Sequence, residues 1–368
     1  MKRLFSLIIA LLVCAILWGC ASKNETSDAT QPPETPNTST TEPAAADTPV
    51  PATAEPTEEP TAEPTPEPVR FVFQPKVCSA YLEEVFGQTM CETWFNLVDA
   101  VMAGEDTFSC PDQYTYNWVM GQFPRLCFPV LEEIVDYAYD RTNSVKDGVA
   151  SFTWLVSKEK AASMTADFAE QIEGILNEVL EDDWSDVEKA LALYVYFSRT
   201  YEYDWATYYA DLEHPADYTT TFRLFKEGIG ICREIAPAYS YLLMQIGIDA
   251  TTVFGSNHEW SFVRMDGRNY HIDPTYVLNE PDSMAYFMMT DDQRDATGCS
   301  KDHFLYTSNY SQDHPHPDYA ADDGFFAPVW SYRIRTFSAD EKLMHCWRYT
   351  ESWEEEPFDF DYSGFDRP

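Results

Sequence analysis

An Asp-Gly pair, Asp266-Gly267, sits between two runs of alternating apolar and polar residues, 258–265 and 269–273. Such a pair is a strong hairpin signal, because both residues accept the positive φ that matches the twist of paired strands. With a two-residue turn, Met265 opposes Arg268 and Trp260 opposes Asp273. His258 then becomes the diagonal neighbour of Asp273 on the same face, within reach of a side-chain hydrogen bond. A slip of one residue would put them on opposite faces, so the parity of one turn carries the reading. A further β-type run, 250–255, precedes this hairpin.

Upstream, Gly228 and Gly230 break the chain, and an apolar series begins: Ile235, Ala236, Ala238, Tyr239, Leu242, Leu243 and Ile246. These positions fall on one side of a 3.6-residue period, which predicts a core-facing helix ended by Gly247. Cys232 falls at or just before its N-terminus. Unpaired backbone N–H groups there favour an anion, which activates a thiol and can also hold an oxyanion. A lone cysteine is usually a small hydrophobe, and a lone histidine on a strand is usually satisfied structurally. Thiol, imidazole and carboxylate in this order, with turn-compatible parity, point instead to a nucleophile, a base and an orienting group.

Gly-Ile-Cys before a Leu-Leu helix and Gly-Ile, then His-x-Trp, then Asp-Pro-Thr-aromatic, resembles the transglutaminase-like superfamily with its papain-like core. The resemblance covers residues 185–290, since the helical pattern 187–199 and the Tyr-x-Tyr-Asp segment 201–204 match the usual lead-in. It implies an α+β fold with the catalytic Cys at a helix N-terminus packed on an antiparallel β-sheet, preceded by an N-terminal α/β segment. It implies Cys232 as nucleophile, His258 as base and Asp273 as orienter, with no metal or organic cofactor. Water as acceptor would give a peptidase or amidase, and a lysine amine a cross-linking enzyme. A second oxyanion donor is expected from Tyr203 or Trp205. Two features depart from the family pattern. Pro237 removes a backbone donor one turn into the helix, and the Cys232–His258 interval is short, as if a loop were trimmed at Ser256-Asn257. The competing reading is a non-catalytic surface module that keeps the fold as a binding or scaffold domain.

The remaining organisation follows from composition. Lys2 and Arg3, the apolar stretch 4–17 and Leu17-Trp18-Gly19-Cys20 resemble a lipoprotein signal peptide over residues 1–20, which implies lipid on Cys20 and a membrane-anchored, extracytoplasmic protein. Residues 21–69 are rich in Thr, Pro and Glu and lack core-forming side chains, so they read as a disordered stalk. A mixed α/β segment is expected over 70–184, the core over 185–290, and a C-terminal extension packing on it over 291–368. Helical patterns appear at 81–101, 128–140 and 165–180. Strand patterns appear at 150–156, 330–337 and 343–349, with a strand or short helix at 284–291. Residues 292–324 read as loop, residues 314–318 as an exposed His-Pro loop, and Glu354 to Glu356 as a solvated acidic run. A net charge of −38 argues against nucleic acid as a partner and leaves peptide or protein at the cell envelope. Of nine cysteines, Cys14 and Cys20 belong to the leader reading. The odd remainder leaves at least one thiol free, with Cys232 the candidate, and one or two local bridges are expected between residues 78 and 127.

Overall fold

The structure, a computed structural model, describes residues 71–136, 144–213, 220–301, 303–304 and 319–365. The signal segment, Cys20, the stalk up to residue 70 and the His-Pro loop 314–318 lie outside the described residues. Residues Pro66–Pro368 form one compact unit. At its centre the helix Cys232–Gln245 packs on the strands Asp249–Gly255 and His258–Met265. These belong to a four-stranded antiparallel sheet in the order Arg268–Ile272, His258–Met265, Asp249–Gly255, His303–Phe304. The fold is α+β and papain/transglutaminase-like, as expected.

Every residue of the central helix from Glu234 to Gln245 is buried, the predicted apolar face among them except Ile246, which follows its end and is half-buried. The helices Phe123–Cys127, Asp186–Thr200 and Thr221–Glu227 cover the sides that the sheet leaves open. Tyr239 donates to the Ala190 carbonyl at 2.7 Å, and Ser261 donates to the Ala236 carbonyl at 3.0 Å, while the buried Tyr241 hydroxyl has no partner among the described residues. Gly247, at φ +84°, closes the helix by letting Ile248 N–H reach the Leu243 carbonyl. Each fully buried Leu, Ile or aromatic side chain in this layer stabilises the fold by roughly 1.5–3 kcal/mol.

Asp266-Gly267 forms the expected two-residue turn, with Met265 opposite Arg268 and Ser261 opposite Ile272. Ser256-Asn257 forms a second one, both residues at positive φ, with Gly255 opposite His258. The shortened loop is therefore a tight hairpin turn that ends where the imidazole begins.

Elsewhere the elements differ from the sequence expectation in instructive ways. Residues 81–101 hold two helices, Ala80–Phe86 and Gln88–Ala103, separated by Gly87 at φ +88°. Of the helix expected over 128–140, the described residues up to 136 hold only Leu131–Ile134, because Val135 bridges to Trp154 instead of continuing the turn. The strand pattern at 150–156 yields only Val149–Ser151, paired with Thr107–Ser109. The helix expected from 165 starts at Lys158, where Ser157 caps it, and buries Phe168, Ile172, Ile175 and Leu176 as predicted. The loop reading of 292–324 misses the helix Asp291–Ala296, capped by Thr290. The acidic run is a strand edge: Glu355–Asp361 joins Arg333–Ser338 and Leu343–Tyr349 in a three-stranded sheet, and Glu355 and Glu356 pair with Arg335 and Arg348.

Candidate active site

Cys232 is the first residue of the central helix. Its approach is set by a short parallel pair in which Tyr203 lies opposite Gly230 and Asp204 N–H donates to the Gly230 carbonyl at 2.9 Å. A Cβ at Gly230 would stand 3.2 Å from the Glu234 carboxylate and 3.1 Å from Leu224, so the close approach needs glycine. Glu234 is fully buried and accepts the Ile231 N–H at 2.8 Å, holding the loop into the helix. Burial pushes its carboxyl up to about 7 against the opposing pull of Ile231 N–H and Arg223. Arg223 ties Glu234 to Asp204. Asp204 in turn accepts the Thr207 N–H at 2.9 Å and so starts the helix Trp205–Glu213 beside the thiol.

Pro237 has no N–H to give the Arg233 carbonyl, its normal helical acceptor. Arg125 supplies the missing donor: its Nη2 lies 3.0 Å from that carbonyl and 2.6 Å from Glu259, which is itself buried. The family departure is thus compensated by a side chain from the N-terminal segment, and the first turn of the helix is kept.

The hairpin parity brings His258 and Asp273 together, with Nε2 to Oδ2 at 2.8 Å. The imidazole and the Cys232 side chain line the same cleft. With Nε2 engaged by Asp273, Nδ1 is the nitrogen left for the thiol. Tyr276 stacks on the imidazole with centroids 4.5 Å apart. Burial opposes a charge on His258, but the Asp273 carboxylate, its hydrogen bond and the neighbouring Cys232 side chain outweigh it and push the group up to about 10. Asp273 is wholly buried. Burial would raise its carboxyl, yet His258 and Arg294 together hold it well below the usual carboxylate range. Its second oxygen accepts the Thr275 and Tyr276 N–H groups, each at 2.9 Å.

Arg294 was not foreseen. It is fully buried, donates from Nη1 to Asp273 at 2.6 Å and from Nε to the Cys299 carbonyl at 3.1 Å, and stacks over Trp260 at 4.2 Å. Its segment carries no apolar period and no ligand spacing, so no signal in the chain marks it. Beside it, His271 accepts the Trp260 indole N–H on Nδ1 and bonds Asp291 through Nε2, both at 2.8 Å. That pattern makes it a neutral, structural histidine, and burial pushes it down to about 4.

A cleft of about 220 Å³ opens over the thiol, lined by Tyr203, Trp205, Tyr208, His258 and Tyr276 among others. Both candidate oxyanion donors, Tyr203 and Trp205, therefore reach the same space as Cys232. Cys78 and Cys91 form a disulfide. Among the described free thiols of Cys110, Cys127, Cys232, Cys299 and Cys346, only that of Cys232 is not buried. Desolvation raises Cys110 to about 11 and Cys346 to about 12, which keeps them protonated and inert. Chemically the arrangement offers an accessible thiol, a paired imidazole and a helix N-terminus around one cavity.

Residues 173–280 match the family model of the transglutaminase-like superfamily. No curated protein matches the chain. A solved structure of a candidate cysteine protease from Cytophaga hutchinsonii is similar at 20% identity over 24% of this chain, with a TM-score of 0.20. The matched part spans 31% of that protein. The segment that builds the Cys232 helix, the hairpin and Asp273 lies within the residues that match the transglutaminase-like superfamily model.

Proposed function

We propose that the protein is a thiol enzyme acting on amide bonds of peptides or proteins, held at the extracytoplasmic face of the membrane by lipid on Cys20. One observation carries the catalytic part: the imidazole of His258 is bonded to the buried Asp273 carboxylate and lines one cleft with the accessible Cys232 thiol. The Cys232 sulfur attacks the amide carbonyl carbon, and the C–N bond breaks as His258 passes its proton to the leaving amine. The resulting thioester is then released by water or by an amine, whose proton returns through His258. Asp273 holds the imidazole tautomer. The N–H groups at the start of the Cys232 helix face the developing oxyanion, with Tyr203 or Trp205 as second donor.

The test uses a peptide library with a labelled amine, read by mass spectrometry. Cys232→Ala and His258→Ala should each abolish turnover, and the double variant should be scarcely worse, because members of one catalytic unit are non-additive. A folded Cys232→Ala protein that still turns over amides would sink the assignment. If the wild type has neither turnover nor a fast-reacting thiol, the binding-module reading replaces it. Lipid attachment is checked separately: wild type should partition into detergent, and Cys20→Ala should lose mature processing.

A further inference from the structure

Asp273 has more partners than an orienting carboxylate needs. Oδ1 accepts the Thr275 and Tyr276 N–H groups, while the other oxygen, Oδ2, meets both His258 Nε2 at 2.8 Å and Arg294 Nη1 at 2.6 Å. The same two rings also serve both groups. Trp260 and Tyr276 stack on the imidazole at 5.7 Å and 4.5 Å between centroids, and the guanidinium carbon lies 4.2 Å and 5.1 Å from those centroids. Asp273 and Arg294 are fully buried and His258 nearly so. Arg294 stands on the helix Asp291–Ala296, beyond the matched residues 173–280. It does not line the thiol cleft, so its effect on a reaction there passes through Asp273. A buried carboxylate whose one cation is a histidine is stranded each time that histidine loses its proton, which is strongly destabilising and makes the imidazolium a poor donor. With Arg294 on the same oxygen, the cluster is neutral when His258 is neutral and carries one positive charge when it is protonated.

We propose that Arg294 is a positioning residue, the standing counter-ion of Asp273, which keeps that carboxylate paired while His258 gives up and regains its proton. The proposal rests on His258 being the proton donor to the leaving amine. The neighbouring titratable groups do not take the place of Arg294. Burial pushes Tyr194, Tyr203, Tyr276 and Tyr286 up, so they stay un-ionised, and pushes His271 down, so it stays neutral. Lys301 pairs with Asp291, which bonds His271. The Cys299 thiol is bonded to the Tyr276 hydroxyl, and Cys232 lines the cleft with the imidazole. The test follows the His258 imidazole by NMR in the full chain in detergent, with ¹³C at histidine Cε1 and the signal identified by its absence from His258→Gln. At pH 10 wild-type His258 is about half protonated. Arg294→Gln keeps N–H groups but no charge, and should leave His258 almost fully protonated there, its midpoint raised by about 1 pH unit or more. Asp273→Asn shifts it the opposite way. Arg294→Gln should also lower kcat for amide turnover about tenfold with little change in KM, and Arg294→Lys should restore both midpoint and kcat. Where Arg294→Gln does not hold its fold, Asp273→Asn combined with Arg294→Gln leaves neither buried charge. His258 should then titrate about 1 pH unit or more above its midpoint in Asp273→Asn alone, because the unshielded guanidinium is gone. A midpoint that is unchanged or lowered in Arg294→Gln, or the same in Asp273→Asn and the double variant, would overturn the proposal. An upward shift without turnover would sink the thiol-enzyme reading and leave Arg294 as the counter-ion, whereas turnover without the shift would sink the role of Arg294 alone.

Discussion

Two buried histidines lie within one hairpin, and their neighbours drive them in opposite directions. His258 gains the carboxylate of Asp273 and is pushed up to about 10, while His271 accepts an indole N–H and is pushed down to about 4. For His258 the folded value lies above the ordinary 6.5. Its stabilising contribution is therefore complete below about pH 6.5 and is lost as pH rises through about 10. An imidazolium that supports a reactive Cys232 should follow the same limb. Alkylation of Cys232, followed against pH, should lose its fast phase near pH 10 in the wild type. In Asp273→Asn that limb should move down towards the ordinary histidine value, because the charge that raised it is gone. Identical alkaline limbs in the two proteins would show that Asp273 does not set the protonation of His258. Sequence parity placed these two residues on one face; nothing in the sequence showed that Arg294 shares the same carboxylate.

At the level of elements, the Cys232 helix tolerates Pro237 because another helix fills the gap in its hydrogen bonding. Arg125→Met should leave both the Arg233 carbonyl and the buried Glu259 carboxylate without that partner. Removing one member of a buried pair typically costs about 3–5 kcal/mol. Urea unfolding should show a loss of that order, and adding Glu259→Gln should recover part of it by removing the stranded charge. A change of under about 0.5 kcal/mol for Arg125→Met would mean that the contact is incidental. The Asp266-Gly267 hairpin was legible because turn chemistry is local, whereas Ser256-Asn257 read only as a trimmed loop and its two positive φ values emerge in the structure. The short helix at 291–296 was not legible, and the one at 131–134 was read with the wrong extent. Each is too short for a period to develop, and each is held by contacts made elsewhere in the chain.

For the whole molecule, the parts on either side of the family match are tied to it by buried polar contacts. Glu188 is fully buried on the lead-in helix and accepts from Lys342 at 2.8 Å and Tyr362 at 2.6 Å. Arg294, which lies beyond residue 290, completes the partners of Asp273. A chain ended after Thr290 should therefore lose cooperative thermal unfolding and the fast alkylation of Cys232, as followed by circular dichroism and by thiol labelling. A truncated protein that keeps both would show that the core is autonomous.

By itself the sequence determined what is local or periodic: the hairpin parity, the helix behind Cys232, the order of thiol, imidazole and carboxylate, and the superfamily likeness over residues 173–280. Tertiary structure alone decided which remote side chains answer buried charges and orphaned backbone groups. Arg294 on Asp273, Arg125 on the Arg233 carbonyl and Lys342 on Glu188 each join positions far apart in the chain. The physical reason is that a buried charge or carbonyl must be paired, but any donor that the fold brings within reach satisfies it. Spacing along the chain therefore carries no trace of the partner.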